Sequence, residues 1–419
     1  MSFSRLNAWR IAAIILVGLN LRPVLASIPP LLDQLQAATR MSDTAAGLLT
    51  ALPVFVMGLG ALSVAPLRRL LGEQHGVIAG LALITAATAG RLWADQTLLM
   101  LASGVVAGLG IAVTQALLPI YIKTRFHASS SAIMGIYSTA IMGGAAVASV
   151  ASPVMAAHAG GLQALAVWAM PAAVALAAWL LVNRRAQHPA AALHADAGQF
   201  QTSRARCWLL AVFFGLGTGA YTLVLAWLPP YYTALGWTPV ASGQLLGAVT
   251  AAEIVAGLLV SLGISRLPDR RPALFLAIAA LLVGLLGWIV SPATLAWPAA
   301  VLAGLGIGAL FPLSLIVAMD HAATPLEAGR LASFVQGVGY LIAALFPFAA
   351  GVIRQHLADL TLAWILMTLI CLVLFALAAC FRPQPALRDR PSTTGHPQPA
   401  VRNQHSPSGQ PQSAPHQHS

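Results

Sequence analysis

The chain has 419 residues, of which 58% are hydrophobic and only 8% charged, whereas soluble globular proteins carry about 25% charged residues. A water-soluble enzyme of this length is excluded, because too few polar side chains are present to cover its outside. The formal net charge of +11 would suggest nucleic acid in a soluble protein, but basic loops on one face of a membrane account for it equally well.

In chain order, twelve apolar segments occupy about 9–32, 44–66, 76–94, 97–121, 130–155, 162–182, 207–232, 240–264, 272–290, 295–319, 329–353 and 361–381. Lipid offers the backbone no partners, so each is expected to be an α-helix. Strands of a membrane barrel would alternate apolar and polar residues, and these runs do not. Arg5 and Arg10 precede the first segment, but it is too long for a cleaved signal and a full bundle follows it.

Loop charges orient the bundle. With the N-terminus inside, Arg5, Arg10, Arg68, Arg69, Lys123, Arg125, Arg184, Arg185, Arg204, Arg206, Arg266, Arg270, Arg271, Arg330, Arg382, Arg388, Arg390 and Arg402 all fall on the cytoplasmic side. Only Arg40, Arg91 and Arg354 fall opposite, and Arg22 lies within the first segment. This bias predicts an even number of spans with both termini cytoplasmic, and it explains the basic charge without nucleic acid.

The chain repeats itself. AGLGI at 107–111 recurs at 303–307, Pro29-Pro30 closes the first segment as Pro229-Pro230 closes the seventh, and Gly47 and Gly243 sit early in the second and eighth. The expected fold is therefore an all-α membrane protein of twelve transmembrane helices in two parallel six-helix pseudo-repeats, the major facilitator arrangement. Residues 1–182 form the first bundle, 183–206 a cytoplasmic linker and 207–381 the second bundle, with a disordered cytoplasmic tail at 382–419. That tail is rich in Pro, Gln, Ser and His. Its His396, His405, His416 and His418 have no spacing that imposes a closed metal geometry, and Cys207, Cys371 and Cys380 form no CxxC pattern. No metal and no cofactor is expected.

Polar residues inside the segments single out a path. Asn20 and Arg22 lie in the first, Gln115 in the fourth, Tyr137 in the fifth, Tyr221 in the seventh, Gln244 and Glu253 in the eighth, and Gln336 and Tyr340 in the eleventh. The third, sixth, ninth and twelfth hold little beyond Thr85, Thr88 and Thr368, so they are expected at the periphery facing lipid.

Arg22, near mid-membrane, is the sharpest signal. An arginine there costs about 2.5–3.5 kcal/mol on insertion scales and cannot readily lose its charge. Two readings stand: a contact for an anionic substrate, or a structural pair with Glu253. Pro23 follows Arg22 and is expected to kink the helix and free the Leu19 carbonyl. Glu253 is the one acid at mid-membrane depth, and it reads as a proton carrier, a counter-charge for Arg22 or a substrate contact. Gln115, four residues before Pro119, is a substrate hydrogen-bonding candidate or a helix bridge. Tyr137, Tyr221, Gln336, Tyr340 and Asn20 are further candidates for the substrate site. Trp227, near the outer end of the seventh segment, is expected to anchor at the membrane interface. Glycines four apart (Gly104/Gly108, Gly215/Gly219, Gly243/Gly247 and Gly304/Gly308) predict close helix packing. No P-loop, HExxH or GxSxG is present, so no enzyme activity is expected.

The segments LNLRPVLASIPPLL (19–32), GLLTALPVFVMG (47–58), AVTQALLPIYIKTRF (112–126), GIYSTAIMGGAA (135–146), AWLPPYY (226–232) and FVQGVGYLIAALFP (334–347) resemble the cyanate transporter family of the major facilitator superfamily, a group that also holds nitroimidazole transporters. The resemblance spans about residues 9–381 and is closest to the cyanate branch at 112–126 and around Leu21-Arg22-Pro23. It implies a bacterial-type inner-membrane secondary carrier that works by alternating access, with Arg22 at a site between the halves and a small anionic or polar nitrogenous solute, cyanate-like, as substrate. Its partners would be the small solute, the bilayer and protons as candidate coupling ion. Two departures stand out. The usual acid of the loop after span two would fall near Arg69, whereas the second half keeps Asp269-Arg270-Arg271. Gly143-Gly144 lacks the preceding Gly-Pro of many drug/proton antiporters. The alternative substrates are neutral heteroaromatics such as nitroimidazoles. The alternative of another class is a non-transporting membrane sensor.

Overall fold

The computed structural model describes residues 5–183, 202–267, 269–322 and 324–381. The tail, its histidines and linker residues 184–201 lie outside the described residues. Among the described residues every regular element is a helix. Twelve are long and apolar enough to cross a membrane: Asn7–Thr39, Asp43–Leu62, Val64–Trp93, Thr97–Phe126, Ser130–Ala159, Gly161–Asn183, Arg204–Ala234, Pro239–Gly263, Arg271–Val290, Ala296–Asp320, Leu326–Leu357 and Thr361–Ala379. They are named span one to span twelve below.

Span one is broken rather than kinked. Its first helix ends at Asn20, Leu21 and Arg22 are bends, and a stub helix runs over Pro23–Ala26 before a 3₁₀ turn at Pro29–Leu31 and a last helix at Leu32–Thr39. Pro23 has no N–H for the Leu19 carbonyl, and that carbonyl lies against Gly144 of span five, where no side chain would fit. The Arg22 carbonyl starts the stub by accepting from the Leu25 and Ala26 N–H groups, both at 2.9 Å. Neither proline pair closes its span: span one runs past Pro29-Pro30 to Thr39, and span seven past Pro229-Pro230 to Ala234. The tyrosines that follow hold it in place: the Tyr231 and Tyr232 hydroxyls donate to the Trp288 and Pro292 carbonyls at 3.1 and 2.9 Å.

Arg91 corrects the loop reading. It is fully buried at the end of span three. Its Nη1 donates to the Val24 carbonyl at 2.9 Å and its Nε to Ser103 Oγ at 3.3 Å. A carbonyl near the break in span one is thus satisfied from a neighbouring helix. The acid missing near Arg69 is supplied by Glu73, just past the left-handed Gly72 (φ +66°). Glu73 pairs with Arg68 at 2.8 Å and accepts from Thr124 Oγ1 at 3.1 Å. In the second half Arg270 pairs with Asp320 at 3.1 Å. Arg271, at 2.8 Å from Asp269 and donating to it, holds that carboxyl below the usual carboxylate range.

The glycine pairs set the packing. Gly104 and Gly108 of span four lie on Leu49 and Pro53 of span two, and Gly304 and Gly308 of span ten lie on Val249, Ala252 and Glu253 of span eight. These are equivalent contacts in the two halves. Two further equivalent contacts join the halves: Gly47 meets Pro347 and Gly351 of span eleven, and Gly243 meets Ser149 and Pro153 of span five. Bare Cα atoms allow this approach, where dispersion and close backbone contact do the holding.

Those inter-half contacts close one end of the bundle. At the other end, near Arg125, Arg266 and Arg271, Ser131 and Gly135 of span five and Leu258 and Ser261 of span eight are exposed. A side chain added at Gly135 would meet nothing within 4 Å. At Gly243, an added Cβ would strike the Ser149 carbonyl and lie 3.1 Å from Pro153 Cγ. Gly243→Val should therefore destabilise the closed end by about 1–3 kcal/mol, as overpacking does. Thermal unfolding followed by tryptophan fluorescence checks this, and an unchanged midpoint would contradict the packing described.

Candidate functional site

A cavity of about 490 Å³ runs from mid-depth to the open end. It is lined by Arg22 of span one, Val54 and Met57 of span two, Gln115 of span four, and Met134 and Met142 of span five. Thr218 and Tyr221 of span seven, Glu253 of span eight, Phe311 of span ten and Tyr340 of span eleven complete the inner wall. Spans three, six, nine and twelve contribute nothing to it, as their lack of strongly polar side chains implied.

The break in span one delivers Arg22. A continuous helix would direct its side chain by the regular period, whereas here Arg22 caps a new helix while its guanidinium faces the cavity. It is 4% exposed. The guanidinium carbon lies 5.5 Å from the centroid of the Tyr221 ring, a cation–π contact contributing about 0.5–2 kcal/mol. Its Nε and Nη1 have no hydrogen-bond partner. Glu253, 5% exposed, also lines the cavity and feels the Arg22 charge, yet no ion pair joins the two, and Glu253 Oε2 has no partner. Tyr137 Oη, Tyr221 Oη and Thr218 Oγ1 are likewise buried and unpartnered. More than half of such atoms among the described residues belong to Arg22 or to residues in or beside this cavity. Each unmet buried donor or acceptor costs about 1–3 kcal/mol, so this cluster concentrates unmet polarity in one part of the fold.

The other candidates divide. Gln115, Tyr221, Tyr340 and Glu253 line the cavity. Tyr137 is buried beside it, within the field of Arg22. Asn20 turns away: its amide donates to the Leu16 carbonyl of its own helix at 2.8 Å. Gln336 is half-buried on span eleven and lies off the cavity. Arg22 and Glu253 share the cavity and each other's field without a direct ion pair.

Thr218 was missed by the sequence reading, although its position three residues before Tyr221 puts it on the same helix face. The closed end was missed as well. Trp227, expected at the membrane interface, is 1% exposed and donates to the Pro347 carbonyl at 2.9 Å. Arg354 lies 5.5 Å from the Trp227 ring centroid and reaches Asp33 at 3.4 Å and Asp43 at 3.5 Å. Thr233 Oγ1 donates to Asp33 at 2.6 Å, and the Asp43 N–H donates to Gln355 at 2.9 Å. These bonds tie spans one and two to spans seven and eleven.

The comparisons with known proteins agree with this architecture. The chain is 38% identical over 377 residues to the cyanate transport protein CynX of Escherichia coli K12, covering 88% of this chain and 96% of that one. It is 32% identical over 352 residues to the 2-nitroimidazole transporter of the same organism, covering 82% and 88%. Among solved structures, the D-xylose-proton symporter superposes with a TM-score of 0.73 at 12% identity, covering 90% and 99% of the two chains. The inward open xylose transporter XylE of E. coli gives 0.74 at 13% identity, covering 90% and 97%; these two likenesses speak for the fold alone. The Major Facilitator Superfamily model matches residues 11–347, and the chain, a multi-pass membrane transporter, belongs to that superfamily.

Proposed function

We propose that the protein carries a small anion, cyanate or one of its size and charge, across the inner membrane by alternating access. The single observation behind this is Arg22: a buried, permanently charged group in a cavity, without an ion-pair partner and with two donors unused. A guanidinium offers an anion a fixed charge and a fork of donors. The cyanate transport protein, at 38% identity, lends the substrate class. On this reading the open end, which carries Arg125, Arg266 and Arg271, faces the cytoplasm, as the basic-loop bias supports.

Neutral heteroaromatics are the second reading. Tyr221, Phe311 and Tyr340 give the cavity aromatic faces, and the 2-nitroimidazole transporter is 32% identical. Charge separates the two. In a thermal-shift titration of the purified protein, cyanate should raise the unfolding midpoint progressively with the logarithm of its concentration above Kd, and 2-nitroimidazole at the same concentration should not. Stabilisation by 2-nitroimidazole alone would overturn the anion reading.

A further inference from the structure

We propose that Arg91 is a positioning residue for Arg22: its bond to the Val24 carbonyl fixes the stub helix Pro23–Ala26, and with it the point from which the Arg22 guanidinium enters the cavity. This inference rests on the anion reading above and deepens it, by naming a residue outside the cavity on which the same site depends.

The stub is too short to hold itself. A single turn of four residues fixes many dihedrals for few hydrogen bonds, so its orientation is set by what it is tied to. On its N-terminal side Leu21 and Arg22 are bends. On its C-terminal side Pro29 has no N–H to give the Leu25 carbonyl. The Ile28 N–H, which a regular helix would bring to Val24, goes to Leu25 instead at 3.4 Å. The Val24 carbonyl is left to Arg91 Nη1 at 2.9 Å, the one side-chain hydrogen bond that reaches the stub from another span among the described residues. Arg22 is joined rigidly to the stub, because its carbonyl accepts from the Leu25 and Ala26 N–H groups. A shift at Val24 is therefore a shift at Arg22, two residues away.

Arg91 is itself held from span four. Its Nε donates to Ser103 Oγ at 3.3 Å, and Ser103 Oγ donates in turn to the Met100 carbonyl at 2.7 Å. The guanidinium plane is thus tied to span four while Nη1 meets span one. Arg91 forms no ion pair among the described residues, and its Nη2 has no partner. Burying an unpaired charge is costly, and a methionine of similar length carries no such cost. What the arginine adds is a donor for Val24. Arg91, Ser103 and Val24 do not line the cavity, so Arg91 touches no guest and acts through Arg22.

The test is isothermal titration of cyanate into full-length wild type, Arg91→Met, Arg22→Lys and the double variant. Arg91→Met should bind cyanate about tenfold more weakly, within the range of about 5- to 150-fold usual for coupling between sites. In the Arg22→Lys background the same substitution should weaken binding by less than about threefold, because an ammonium on a flexible stem tolerates a displaced backbone where a planar fork does not. A loss arising from the Arg91 charge alone would be equal in the two backgrounds. Hydrogen exchange followed by mass spectrometry should quicken in Arg91→Met over residues 21–31 and stay unchanged in span ten. Ser103→Ala keeps the charge and the Val24 bond but frees the guanidinium on one side. It should weaken binding by about threefold, and it decides the matter if Arg91→Met does not fold. Unchanged affinity in the folded variants, equal losses in the two backgrounds, or exchange that quickens everywhere alike would overturn the inference and leave the anion reading intact. A wild-type protein that binds no cyanate would overturn both.

Discussion

Arg22→Gln is expected to weaken cyanate binding by about a hundredfold or more. A charge-assisted hydrogen bond contributes about 1.5–3 kcal/mol, and Arg22 has two unused donors, Nε and Nη1, to give. Glutamine keeps one short amide and loses the charge, so both bonds and the Coulomb attraction go. Arg22→Lys should fall between, losing about tenfold, because an ammonium keeps the charge but not the planar fork. The Tyr221 ring beneath the guanidinium would still accept an ammonium in either orientation, which keeps Lys in the cavity. Isothermal titration of cyanate into the three purified proteins measures the series. Equal affinities for wild type and Arg22→Gln would remove Arg22 from the site.

Arg354→Ala is expected to open the end that is now closed. Arg354 bridges Asp33 and Asp43 and covers Trp227, so one side chain of span eleven ties down spans one, two and seven. Partly exposed ion pairs contribute up to about 1 kcal/mol each, and the cation–π contact about 0.5–1 kcal/mol. Their joint loss of about 1–3 kcal/mol shifts a two-state population by about 5- to 150-fold. The glycine contacts Gly47–Pro347 and Gly243–Ser149 remain, so the change is in population and not in fold. Spin labels at Arg40 and Leu235, both exposed at this end, report it in a background without cysteine. The longer-distance population should grow in Arg354→Ala, and an unchanged distance distribution would show that these bonds do not govern the closure.

Much of this was legible in the chain. Segments that cross lipid must satisfy their own backbone, so twelve apolar runs fixed twelve helices, and the scarcity of polar side chains in four of them identified the peripheral ones. Arg22 stood out because lipid tolerates no lone guanidinium. What was hidden depends on which way a side chain turns. Asn20 lies two residues from Arg22, yet the end of its helix lets it fold back onto Leu16. Gln336 lies one turn before Tyr340 on the continuous helix Pro325–Ala343, yet only Tyr340 reaches the cavity wall. Arg91 reads as a loop residue until the break in span one exposes a carbonyl for it to meet. Trp227 reads as an interface anchor until Pro347, more than a hundred residues away in sequence, arrives to accept its N–H. Contacts of that range leave no local pattern.

The most direct measurement is exchange of labelled against unlabelled cyanate across proteoliposomes, with wild type and Arg22→Gln compared at equal amounts of folded, inserted protein. Exchange saturable in the wild type and lost in Arg22→Gln is what a carrier built around this guanidinium requires. Exchange that persists undiminished in Arg22→Gln would mean the anion is held elsewhere.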